Sequence, residues 1–174
     1  MNDLSWNFLV TCEHAGNSIP DAYTHLFASP EAQEALASHR GWDPGAEGIA
    51  HALADMLQAP CFTATWSRLL VEQNRSLHHP NLFSQWIKNL PDEARQEIIS
   101  NYHQPFRKKV WDTIQQMLEK NRRIIHLSMH TFTPELNGQV RNAEIGLLYD
   151  PRRNHEQSLC KAWQYAIRSV NPSW

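Results

Sequence analysis

Trp6-Asn-Phe-Leu-Val-Thr-Cys12, followed at once by Glu13-His14-Ala-Gly-Asn-Ser-Ile-Pro20, decides how the rest of the chain is read. The first seven residues are short, largely apolar and closed by a Gly-Asn turn signal, which is the pattern of a buried strand. Further short apolar runs follow. Cys61-Phe-Thr-Ala-Thr65, Arg68-Leu-Leu-Val-Glu72, Arg123-Ile-Ile-His-Leu-Ser-Met129 and Glu144-Ile-Gly-Leu-Leu148 read as four more strands. Helical patterns lie between and after them. Asp43 suits a helix cap and Pro44 the first turn, and Ile49, Ala50, Leu53, Ala54 and Leu57 continue as an apolar stripe at helical spacing. After Pro91, Tyr102, Phe106, Val110, Ile114, Met117 and Leu118 recur every three or four residues, with a kink or break expected at Pro105. His155 to Val170 reads as a final helix. Continuous apolar strands alternating with helices predict an α/β fold, a three-layer αβα arrangement around a mostly parallel or mixed sheet.

Size and composition narrow the function. The chain has 174 residues, enough for one domain with its own core and too few for two of ordinary size. Eighteen acids against 16 bases give a formal charge of −2, so the basic footprint of a nucleic-acid binder is missing. No apolar run approaches the ~18 residues of a membrane span. Met1-Asn-Asp-Leu-Ser-Trp lacks the basic and apolar regions of a signal peptide, so a cytoplasmic address is expected. Cys12, Cys61 and Cys160 are odd in number, far apart and outside any CxxC pair, which fits a reduced compartment. Cys12 reads as a buried, inert thiol rather than a nucleophile. The seven tryptophans are scattered and form no stacking platform for bases.

In parallel sheets, ligands sit beyond the carboxyl ends of the strands. That rule gathers Glu13 and His14, Asn74-Arg75-Ser76, and His130 on one rim. His14 and His130 each follow a strand and precede loop-forming residues, and imidazole is a favoured zinc ligand. Asp43, where a loop enters a helix, supplies a third ligand; a helix cap is the competing role, and one carboxylate can serve both. Glu13 reads as a proton acceptor, as a partner behind the metal ligands, or as an ordinary salt-bridged acid. Glu144 is the alternative base. Arg68, Asn74, Arg75 and Arg141 offer donors to a carboxylate substrate, with surface solubility the plainer reading of Arg68. His78-His79 before Pro80 reads as a solvated loop, and His126 as a satisfied core histidine.

Val10–Pro20, Trp42-Asp-Pro-Gly45, Ser67-Arg-Leu-Leu-Val-Glu-Gln-Asn-Arg-Ser76 and Leu127-Ser-Met-His-Thr-Phe-Thr-Pro134 occur in this order. Together with Arg141–Leu148 they resemble the N-formylglutamate amidohydrolase family. The resemblance implies a three-layer fold related to zinc carboxypeptidases, one zinc ion at His14, Asp43 and His130, and Arg68, Asn74 and Arg75 near the substrate. The implied reaction is hydrolysis of the amide of an N-formyl or other N-acyl acidic amino acid, N-formyl-L-glutamate giving formate and L-glutamate. Two departures stand out. Glu72-Gln-Asn-Arg75 replaces an Asp-Leu-Asn-Arg-like run, and a later glutamate-bearing strand of the family is expected to be missing beyond Trp174. The sequence is thus expected to be a single domain over residues 1–174 without that C-terminal segment. A non-catalytic metal- or ligand-binding domain, or an enzyme for another N-acyl amino acid or small peptide, is the alternative. A small molecule is the expected partner, with neither nucleic acid nor membrane; the sequence leaves the oligomeric state open.

Overall fold

A computed structural model of the chain describes residues 6–120, 123–136 and 138–174. It divides into two compact units, Met1–Phe132 and Thr133–Trp174. Of the leading residues read above for a signal peptide, all but Trp6 lie outside the described residues. In the first unit, β1 (Trp6–Cys12) is followed by a 3-10 segment (Asp21–Phe27), α1 (Pro30–Ala37), α2 (Ala46–Leu57), β2 (Cys61–Thr63), α3 (Asp92–Ile98), a π-helical turn (Ile99–His103), α4 (Gln104–Glu119) and β3 (Arg123–Ser128).

The three strands make a parallel sheet in the order β2-β1-β3, with Val10 opposite Cys61 and Thr11 opposite Ser128. Val10 and Cys12 pack on Ala46, Ala50 and Ala54 of α2. Alanines at this spacing remove side-chain bulk, so the helix lies close against the strand. By strand alternation Leu9 and Thr11 face the other way, and α4 packs against β1 and β3. The fold is therefore α/β with an αβα arrangement, as the sequence pattern predicts. A second core cluster, around Phe27, Leu70, Ile87 and Ile98, lies under the connection from α1 to α3.

Several expected elements take another form. Arg68–Glu72 is no strand: it is a buried turn in which Leu70 N–H bonds the Ser67 carbonyl at 2.9 Å and Glu72 N–H bonds the Leu82 carbonyl at 2.9 Å. Leu69, Leu70 and Val71 are buried as their hydrophobicity demands, but an apolar run of this length fits a buried turn as well as a strand. Ser67 holds the turn, donating to the Gly41 carbonyl (2.9 Å) and accepting from Leu69 N–H (3.2 Å). Asp43 does not cap α2 with its side chain; the capping position belongs to Gly45, whose φ of 83° is left-handed. The break expected at Pro105 is present one turn earlier, as the π-helical turn that ends where Pro105 enters the first turn of α4. A proline lacks the N–H that a continuous α-helix would need there, and the wider turn absorbs the misfit.

The second unit contains a two-residue ladder, β4 (Glu135–Leu136) with β5 (Gln139–Val140), and α5 (Asn154–Val170). Glu144–Leu148 forms no strand: Ile145 and Leu148 are exposed, and hydrophobicity alone gave the run no pairing partner. None of the described residues of this unit is buried.

Candidate metal centre

The site forms where β1 and β3 end side by side. His14 lies two residues past the end of β1 and His130 two past the end of β3, so adjacent parallel strands deliver both imidazoles to one rim. Their ring centroids are 4.8 Å apart. Asp43 is brought in by its backbone, whose N–H bonds the His14 carbonyl at 2.9 Å. Thr131 reinforces this by donating to the Pro44 carbonyl at 2.9 Å. Gly16 lets the His14 loop press on the neighbouring chain, since a Cβ there would collide with the Thr65 carbonyl.

His14 Nδ1 lies 3.3 Å and His130 Nδ1 2.8 Å from the same oxygen, Asp43 Oδ2. One ligand atom from each of the three residues falls within 4.8 Å of the others, the only such cluster of potential ligands among the described residues. Two imidazole nitrogens and one carboxylate oxygen, with a free side towards solvent at the exposed His130, are the donor set of an open divalent-metal site. His14 and Asp43 are buried, so the site has a dry wall and an open mouth.

The electrostatics are strong. Burial would raise the Asp43 pKa, but contacts with His130 and His14 win and hold the carboxyl well below its usual range. Burial would lower the His14 pKa, but Asp43 and Glu72 raise it. Glu72, which the sequence marked only as a strand end and as a departure from the family's run, accepts from His14 Nε2 in a short contact and from Asn74 N–H at 3.1 Å. Its other oxygen takes Nε of Arg68 at 2.9 Å and a second guanidinium nitrogen at 2.7 Å. Burial opposes ionisation of Glu72, yet its contacts with His14 and Arg68 hold the pKa at about 2. The i,i+4 opposite charges of Arg68 and Glu72 were the only sequence signal for this pair.

The remaining expected residues fall as follows. Glu13 is buried behind His130, with one oxygen accepting from Thr11 at 2.7 Å and the other from Ser128 at 2.6 Å. Arg68 directs its fork at Glu72 and lies 3.6 Å from Asp43 Oδ1. Asn74 and Arg75 are exposed just beyond Glu72, and the Arg75 guanidinium makes no ion pair among the described residues. Glu144 and Arg141 belong to the second unit, where both are exposed beside Lys161 and Arg168 in an open groove. His126 is exposed rather than in the core, its Nε2 2.8 Å from Thr11 Oγ1. Cys12 is buried, and burial pushes its thiol up to about 12, in keeping with an inert thiol.

The N-formylglutamate amidohydrolase family profile matches residues 6–171, nearly the whole chain. The chain belongs to that family. Among solved structures, the crystal structure of gene product Atu2144 from Agrobacterium tumefaciens is similar, with 30% identity and a TM-score of 0.75 over 83% of this chain. The match covers 60% of that protein, so this member of the family spans less than two thirds of its relative's length. No curated protein gives a match. No helix among the described residues is long and apolar enough to cross a membrane.

Proposed function

We propose that this chain is a zinc-dependent amidohydrolase acting on the linear amide of an N-formyl, or more broadly N-acyl, acidic amino acid, with N-formyl-L-glutamate as first substrate. The observation that carries the reading is the convergence of His14 Nδ1 and His130 Nδ1 on Asp43 Oδ2 in a chain whose residues 6–171 match the family. His14, Asp43 and His130 would hold the ion. Such an ion supplies Lewis acidity to a carbonyl and lowers the pKa of water towards ~7.

The protein's own side chains then divide the remaining work. Buried His14 and Asp43 wall off water on one side, while the open His130 side admits the acyl group. Arg75, exposed and without an ion pair among the described residues, is assigned to grip a substrate carboxylate, with Asn74 adding a neutral donor. Arg68 is spoken for by Glu72 and contributes positive charge at the rim. A formyl group offers little surface to recognise, so selectivity falls on the acidic moiety. Proton transfer to the departing amine needs a general acid; the sequence offers Glu13 and Glu144 as candidates, and both oxygens of Glu13 are already taken by Thr11 and Ser128.

Two measurements test the reading. Purified protein is expected to carry stoichiometric zinc that is lost in His14→Ala and in His130→Ala; full retention in both defeats the ligand assignment. Metal-loaded protein is expected to release formate from N-formylglutamate faster than acetate from N-acetylglutamate or formate from N-formyl neutral amino acids. Release from none of them means a binding domain rather than an enzyme, and release from another acyl amino acid moves the substrate class.

A further inference from the structure

We infer that two buried carboxylates, Glu72 and Glu13, are positioning residues that fix a hydrogen on Nε2 of His14 and of His130, so that both rings present Nδ1 to the metal. The inference rests on the metal reading above and concerns residues outside the ligand set. It follows from counting hydrogens along the contacts.

Ser128 has one hydroxyl hydrogen, and it goes to Glu13 Oε2 at 2.6 Å. At its 3.0 Å contact with His130 Nε2, the Ser128 oxygen must therefore accept, and Nε2 must carry a hydrogen. The lone pair of a neutral His130 ring is then on Nδ1, 2.8 Å from Asp43 Oδ2. Glu72 tells the same story on the other side. Its oxygens already accept from Asn74 N–H and from two nitrogens of Arg68, as an ionised carboxylate does. His14 Nε2 can only donate to it, which leaves the His14 lone pair on Nδ1, 3.3 Å from Asp43 Oδ2. With both rings neutral, as metal ligation requires, two lone pairs and a carboxylate oxygen face one another with no hydrogen between them. Three acceptors in one place call for a cation.

The Glu13 side extends further. Thr11 donates its single hydrogen to Glu13 Oε1 at 2.7 Å, so at 2.8 Å His126 Nε2 donates to Thr11. Thr11 and Ser128 are register partners on β1 and β3, and the sheet itself holds both hydroxyls on one carboxylate. An outer carboxylate of this kind orients the ring and raises its basicity, and its loss costs ~10–100-fold in metal affinity.

The test is made on cadmium-loaded protein with nitrogen-labelled histidine, where NMR shows which ring nitrogen couples to the metal. Coupling through Nδ1 of both His14 and His130 is expected; coupling through Nε2 of either overturns the inference. Zinc affinity by chelator competition is the second readout. Glu72→Gln is expected to weaken binding ~10–100-fold, because its amide nitrogen facing His14 moves the hydrogen to Nδ1. Ser128→Ala is expected at the low end, ~10-fold, since Glu13 Oε2 is already 3.6 Å from His130 Nε2 and can close in. Ser128→Thr, which keeps the hydroxyl, should bind as wild type. Unchanged affinity in both Glu72→Gln and Ser128→Ala overturns the inference while the metal reading stands. Metal retained in full in both His14→Ala and His130→Ala defeats the metal reading instead. Should a variant fail to fold, the coupling pattern of the unaltered protein still decides.

Discussion

The two units of this chain differ most in what they hide. Up to Phe132, the chain buries Leu9, Val10, Phe27, Leu70, Ile87 and Ile98, and with them the polar residues His14, Asp43, Ser67 and Glu72. From Thr133 onward no described residue is buried, and Leu148, Tyr165 and Val170 are largely exposed. Buried polar groups are tolerated only where partners surround them, so the candidate site and the core of the first unit belong to one construction problem. Substitutions in the first unit should therefore register in stability and metal binding together, and those in the second in neither.

The strongest way to break that contrast is Phe27→Ala. It empties a fully buried site and is expected to cost about 3–5 kcal/mol in urea unfolding. A cost near zero would mean that the first unit is no better packed than the second. Gly16→Ala comes next, at about 1–3 kcal/mol, because the added methyl meets backbone rather than a yielding side chain. It should also weaken zinc binding, since Gly16 sits two residues from His14.

Acid sharpens the comparison more gently. Glu72 has its pKa lowered from 4.5 to about 2 and Asp43 is also lowered, so in the metal-free protein the stability they lend is complete above the ordinary carboxylate range. It is lost as pH falls from 4.5 through about 2. His14 runs the other way: its raised pKa gives stability present below 6.5 and lost as pH rises through the folded value. Melting temperatures of metal-free protein across acid pH should fall less in Glu72→Gln than in the parent. The smallest effect is expected for Leu148→Ala, within ~0.5 kcal/mol, because its side chain already lies in water. A larger loss there would show that the second unit contributes packing after all.

The sequence was most legible where one physical rule sufficed. Hydrophobic runs located β1, β2 and β3, helical spacing located α2 and α5, and the strand-end rule picked His14 and His130. Asp43 was legible as a candidate ligand with capping as the competing role; the cap falls to Gly45, and the Asp43 carboxylate faces His14 and His130. Arg68–Glu72 misled because an apolar run says that a segment is buried and not what its backbone does. Thr11 and Ser128 were invisible for a different reason: strand register decides that they face each other, and register is set by the assembled sheet. Glu72 could have been paired with Arg68 from their spacing, but its contact with His14 comes from folding alone.

The separation of Asp43 and His130 by 87 residues has a consequence for biosynthesis. A nascent chain that has emerged only through α2 owns His14 and Asp43 but not His130, the third of the proposed ligands, and parallel pairing with a distant strand is among the slower steps of folding. Ion capture should therefore be a late event, arriving with the docking of β3. On the proposed metal reading, a chelator or metal-delivery system would then meet an incomplete pocket throughout most of translation.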